Sequence, residues 1–222
     1  PIQYAEHRKT LENVICTAGK FGATHVSTFA GAWEGKPVES AYEEFGKVFR
    51  ELADLAEEKG VKLGIENCLM DGTWEHATCN IGFNPKAWEV MFEEVKNDNF
   101  GLEWEPTHQM VQLIDPVTEL RKWCKKIVHI HGKDATIDWD AIRHSGISGA
   151  VPFVWHRMPG FGDTNWRDII SILRSNGYED DICIEGYHDP VYSGELEMTG
   201  QLHALNYLKW CRGCLLYTSD AA

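Results

Sequence analysis

Apolar residues recur at three- and four-residue steps through residues 41–60, at Tyr42, Phe45, Val48, Phe49, Leu52, Leu55 and Ala56. That spacing predicts one amphipathic helix, which Gly60 stops before Val61 begins an extended run. Residues 6–20 carry a similar stripe through Leu11, Val14, Ile15 and Ala18, with Gly22 beyond. Pro85 opens a helix to Val95 that turns Trp88, Met91, Phe92 and Val95 inward. Asp115-Pro116 reads as an N-cap and first helical residue, starting a helix to about Trp123. Asp163 or Thr164 is expected to cap a helix holding Ile169, Ile170 and Leu173, which ends near Gly177, and residues 197–210 form the last helix. Between them lie strand candidates at 24–29, 62–67, 100–104, 127–131 and 181–185. Strict alternation of helix and strand implies right-handed βαβ crossovers and a parallel sheet.

Four of these strands end on a side chain able to bind a metal: Glu66, Glu105, His131 and Glu185. In a parallel α/β barrel the carboxyl ends of the strands face one open mouth, so such residues meet there. Singly, each has an ordinary explanation, because a strand-end Glu serves as often in a salt bridge or cap, and a strand His is usually a satisfied core group. Their recurrence at the same topological end is the informative feature. The expected fold class is therefore α/β, a (β/α)8 TIM barrel with about five of its eight strands present. Because the chain opens at Pro1 just ahead of a helix, we read it as truncated at the N-terminus, with one partial barrel domain over 1–213. Residues 214–222 resemble a translated sequencing adapter and are set aside as an extraneous tail.

The length of 222 residues suits one large domain, and 43% hydrophobic with 11% aromatic residues is ample for a core. The net charge of −13 argues against a nucleic-acid partner. No apolar run reaches the ~20 residues of a membrane span, so no membrane partner is expected. The seven cysteines are an odd number, and several lie in apolar segments, which suits reduced, packed thiols and a cytoplasmic location. An incomplete barrel would leave two open strand edges, through which chains pair into a homo-oligomer or aggregate.

The span 99–134 resembles the sugar isomerase and epimerase members of the xylose-isomerase-like barrel superfamily, of D-tagatose 3-epimerase-like type. The matching motifs are Glu105-Pro106-Thr107-His108 for a D-P-S-H pattern, Ile114-Asp115-Pro116, and His129-Ile130-His131-Gly132-Lys133-Asp134 for H-x-H-x-K-D. Ile65-Glu66-Asn67, the loop from Arg157 through Gly160-Phe161-Gly162-Asp163, and Gly177-Tyr178 before Ile184-Glu185 extend the likeness over roughly residues 8–213. The Gly160-Phe161-Gly162 turn lacks the pattern of a phosphate loop.

The resemblance implies Glu66, Glu105, His131 and Glu185 as metal ligands, with Glu66 and Glu185 also acting as catalytic acid and base. Three oxygens and one nitrogen suit Mn²⁺ first, with Mg²⁺, Co²⁺ or Zn²⁺ as alternatives. The implied chemistry is proton removal beside a carbonyl of a small sugar, phosphorylated or not, with the enediolate stabilised by the ion. His108, Asn67, Lys133 and Arg157 are the expected substrate-binding residues. For Lys133 and Arg157 the competing reading is an ordinary ion pair, and for Asn67 a turn. Glu105 departs from the usual Asp, and Glu103, two residues earlier on the same face, is the alternative ligand. His25 is a further candidate to face the pocket, and Trp33, Trp74, Trp104 and Trp155 are candidates to stack on a sugar ring or to fill the core. Two rivals stand beside this reading. One is a zinc-dependent apurinic endonuclease of the same superfamily, against which Val154 stands where a D-x-H motif ending at His156 needs Asp. The other is an inactive barrel fragment.

Overall fold

The computed structural model describes residues 2–213, so the expected tail, with Cys214, lies outside the described residues. Among the described residues the helices are α1 Ile2–Ala18, α2 Tyr42–Glu58, α3 Pro85–Glu94, α4 Thr107–Val111, α5 Pro116–Trp123, α6 Trp139–Ser145, α7 Trp166–Ser175 and α8 Glu197–Cys211. Seven strands are β1 His25–Thr28, β2 Lys62–Glu66, β3 Phe100–Trp104, β4 Ile127–Gly132, β5 Asp134–Ile137, β6 Val154–Arg157 and β7 Ile182–Ile184. Five of them, in the order β1-β2-β3-β4-β7, form the parallel sheet of a partial TIM barrel, as the alternating pattern implied. By contacts the chain divides into two compact units, residues 1–104 with 126–130, and residues 105–125 with the rest.

In the first unit β1, β2, β3 and the start of β4 pair in parallel, Glu66 opposite Glu103 and Glu103 opposite His129. One face of this sheet packs on α2 and α3, where Phe45, Phe49, Phe92 and Phe100 make ring contacts at centroid distances of 4.6–6.2 Å. Of the α2 stripe, Phe45, Val48, Phe49, Leu52 and Ala56 are buried and Tyr42 and Leu55 half-buried, whereas α1 buries Ile15 and Ala18 and leaves Val14 45% exposed. The buried Asn80 fastens the end of β2. Its Oδ1 accepts from the backbone N–H groups of Ala30 and Gly82, and its Nδ2 donates to the carbonyls of Glu66 and Cys68. All four polar valences of the amide are used, which fixes the backbone that carries Glu66.

The second unit contains a feature the periodicity missed. Strands β5 and β6 form an antiparallel pair, Asp134 opposite Arg157 through Ile137 opposite Val154, with α6 in the connection. The cap of α7 also differs from expectation: Asn165 accepts from the Asp168 N–H, while Asp163 instead accepts from the Ile137 N–H. Of the cysteines, only Cys68 and Cys124 are buried among the described residues, and Cys16, Cys79 and Cys183 are exposed, so packed thiols are the minority. Trp104 is core, whereas Trp33 and Trp155 are 46% and 44% exposed and Trp74 is half-buried, its indole donating to Glu39. No helix among the described residues is long and apolar enough to cross a membrane.

Candidate active site

In the second unit three of the expected ligands come together. Glu105 follows β3, His131 lies near the end of β4, and Glu185 follows β7. The Glu185 N–H donates to the Gly132 carbonyl at 3.1 Å, which carries the β7 register one residue past the strand and sets Glu185 beside His131. Ligand-capable atoms of Glu105, His131 and Glu185 lie within 4.8 Å of one another. His131 Nδ1 is 3.2 Å from Glu185 Oε2. Lys133, almost wholly buried, donates to Glu185 Oε1 at 2.8 Å and stands 3.9 Å from Glu105 Oε2. Its charge offsets the repulsion of two carboxylates in a poorly solvated place.

Glu105 is fully buried, and the turn of α4 that follows it brings His108 Nε2 to 2.7 Å from Glu105 Oε1. The three-residue spacing of the Glu-x-x-His motif is thus a helical-turn spacing, which points both side chains the same way. Burial works to raise the Glu185 pKa, but bonds from His131 and Lys133 outweigh it and hold the carboxyl well below the usual range. Glu185 is therefore ionised, in the form that accepts a proton.

Other expected site residues have different surroundings. Arg157 lies on β6, its Nε 3.3 Å from Asp189 Oδ2, so the ion-pair reading describes it in this structure. In the first unit, Glu66 is half-buried at the end of β2, and the buried Asn67 donates its N–H to the Glu103 carbonyl at 3.3 Å. Glu103 falls outside the Glu105 group and sits instead with His25 and His129.

Two histidines without an assigned sugar role join the second unit's cluster. The His156 ring meets His108 edge-on at 5.9 Å and His188 at 5.5 Å. His188 takes a left-handed backbone conformation with φ of 73°, uncommon for a residue with a side chain. Val154, two residues before His156, is apolar and supplies no ligand atom. Burial, reinforced by the charges of Lys133 and neighbouring histidines, pushes the His156 pKa down to about 4. An unfolded chain takes up this proton near 6.5 and the folded one only near 4, so the unfolded state binds more protons in that window. The stability involved is complete above pH 6.5 and is lost as pH falls towards 4, an effect on the order of 1–3 kcal/mol after allowance for solvent. Replacing His156 with Gln should flatten the pH dependence of the melting midpoint across that window; an unchanged slope would remove His156 from the account.

The sequence profile of the xylose isomerase-like TIM barrel family matches residues 1–209. The chain belongs to that family. Among curated relatives, the inosose dehydratase of Clostridium tetani (strain Massachusetts / E88) is 27% identical over 170 residues, 74% of this chain and 54% of its own length. The chain thus spans about half the length of the curated relatives it matches. Among solved structures, an L-ribulose 3-epimerase superposes with TM-score 0.67 at 17% identity, covering 94% of this chain and 69% of its own. The IolI protein with a bound zinc atom gives TM-score 0.67 at 22% identity, covering 95% and 69%. These likenesses establish the xylose isomerase-like barrel fold, and the named relatives of this family member are sugar-modifying enzymes.

Proposed function

We propose that the protein is a divalent-metal-dependent sugar or sugar-phosphate isomerase/epimerase that works by proton transfer at carbon beside a carbonyl. The observation that carries this reading is the gathering of Glu105, His131 and Glu185 around Lys133 in the second unit. Two carboxylates and an imidazole fit a hard or borderline divalent ion. Glu66 completes the ligand set in this reading, supported by its place at the end of β2 and by the Ile65-Glu66-Asn67 motif. An ion held there, Mn²⁺ first among candidates, would supply Lewis-acid stabilisation of charge developing on a substrate oxygen.

Glu185, held ionised, takes the proton from the carbon, and Glu66 exchanges a proton on the opposite face. The two carboxylates titrate as a set once they share an ion, so their roles belong to the pair. His108, oriented by Glu105, donates to a substrate oxygen, and Lys133 moves from Glu185 towards a substrate hydroxyl. Asn67 and Arg157 are assigned to substrate positioning. A second reading, water elimination, is favoured by the relatives named inosose dehydratase. It begins with the same proton removal and differs only in expelling a hydroxyl from the adjacent carbon.

The test is incubation of EDTA-treated protein in D₂O with ketoses, ketose phosphates and inososes, with and without Mn²⁺. Metal-dependent deuterium uptake at the carbon beside the carbonyl is expected, with product NMR separating epimerisation from dehydration. No uptake with any substrate at saturating Mn²⁺ would reject both readings.

A further inference from the structure

In the second unit the buried Asp189 joins the end of β6 to the segment that follows β7. Its Oδ1 accepts from the N–H groups of Val191 and Tyr192, both at 2.8 Å. Its Oδ2 accepts from the Met158 N–H at 2.7 Å and from Arg157 Nε at 3.3 Å. Burial works to raise its pKa, but the bonds from Tyr192, Met158, Val191 and Arg157 outweigh it and hold the carboxyl below its usual value. Asp189 is therefore an ionised group beside Arg157, with no exposed side-chain surface through which water could screen it.

The same carboxylate fixes the guanidinium. Arg157 Cζ stands 5.8 Å from the centre of the Phe161 ring, and that ring stacks on Tyr192 at 4.2 Å and on His203 at 3.9 Å. Asp189 holds the Tyr192 backbone, so it anchors the arginine directly and also through the ring beside it. Among the described residues only Nε of Arg157 donates a hydrogen bond, and the side chain is 21% exposed. The N–H groups on its two terminal nitrogens remain to donate to a ligand oxygen. Lys133, the other cation assigned to the substrate, is also matched by carboxylates, Glu185 at 2.8 Å and Glu105 at 3.9 Å.

We propose that Asp189 is a positioning residue that sets specificity through Arg157: it neutralises the guanidinium, which then recognises an uncharged sugar oxygen and rejects a phosphate. This rests on the proposed sugar reaction and narrows its substrate to unphosphorylated sugars. A hydroxyl or carbonyl oxygen needs only an oriented donor, which the Arg157–Asp189 pair supplies without net charge. A phosphate on the terminal nitrogens would lie about 7 Å from the buried carboxylate, one guanidinium and one hydrogen bond away. Repulsion between charges at that range weakens binding by roughly 10-fold or more.

The experiment is calorimetric titration of the chain with inorganic phosphate, in EDTA so that phosphate meets no metal. It is run on the parent, Arg157→Gln, Asp189→Asn and the double variant, each checked for an unchanged circular dichroism spectrum. We expect the parent to bind phosphate no more tightly than Arg157→Gln does. Asp189→Asn, which keeps one oxygen for the backbone donors, should bind it about 10-fold or more tightly than the parent, and that gain should vanish in the double variant. An Asp189 that only braced the loop would not, on its loss, create phosphate affinity that depends on Arg157. No gain in Asp189→Asn, or a gain that persists without Arg157, overturns the proposal. Should Asp189→Asn fail to fold, the parent decides: phosphate binding that Arg157→Gln weakens about 10-fold or more overturns the proposal, and a smaller change upholds it. No sugar turnover is read, so this outcome is separate from that of the deuterium-uptake test.

Discussion

Glu185→Gln should slow exchange of the substrate's carbon-bound proton with D₂O by at least about 10³-fold, the upper part of the range for loss of a general base. Gln keeps the size and one hydrogen-bond acceptor, so Lys133, now 2.8 Å from Glu185 Oε1, retains a partner. What vanishes is the ionised oxygen that takes the proton. At saturating Mn²⁺, which offsets the weaker metal ligand, substrate affinity should fall far less than exchange does, because the lost charge acts directly on the transferring proton. The measurement is deuterium uptake by NMR beside direct sugar binding by calorimetry. Loss of binding equal to loss of exchange would make Glu185 a positioning residue, and undiminished exchange would remove it from the chemistry.

The second large effect concerns Asp134, which completes the His-x-His-x-Lys-Asp motif but has no place among the ligands. Asp134 is fully buried, and its carboxylate accepts from the N–H groups of Ala135, Gly160 and Thr164 at 2.8–3.1 Å. Burial pushes its pKa up against the opposing pull of Thr164, Gly160 and Ala135. The loop from Arg157 to Asp163 wraps this one carboxylate. Gly160 adopts φ of 93°, and a Cβ on Gly162 would lie 2.4 Å from Asp134 Oδ1. Asp134→Ala leaves three backbone donors without their acceptor, and bonds to a charged group contribute about 1.5–3 kcal/mol each. Because water partly replaces the lost acceptor, we expect a net loss of about 3–5 kcal/mol, read from urea unfolding. Asp134→Asn, which keeps one oxygen, should recover part of it. A loss below about 1 kcal/mol in the alanine variant would mean that the loop is held by other contacts.

Much of the architecture was legible in the chain because it rests on local periodicity. The α2 stripe, the proline-opened α3 and α5, and the five parallel strands all came from spacing within a few residues. The candidate ligands were legible for the same reason, since a strand end is marked by where an apolar run stops. Glu103 and Glu105 lie on one face, where a two-residue period does not rank them; only the x-x-His after Glu105 puts it first in the sequence. In the fold α4 brings His108 to Glu105, while the β3–β4 register sets Glu103 opposite His129. Spacing also gave no sign of the partner of Arg157, because Asp189 lies on a segment that sequence spacing does not connect to it.

The sequence by itself determined the order of helices and strands, the family likeness, and which polar side chains stand where strands end. These follow from propensities and periodicities that act over a few neighbouring residues. Only the tertiary structure decided that Lys133 lies against Glu185, that Asp134 gathers a distant glycine loop, and that His25 stacks on His129. Those contacts join residues tens of positions apart. They depend on strand register and on a bulge in β4, neither of which leaves a periodic trace in the chain.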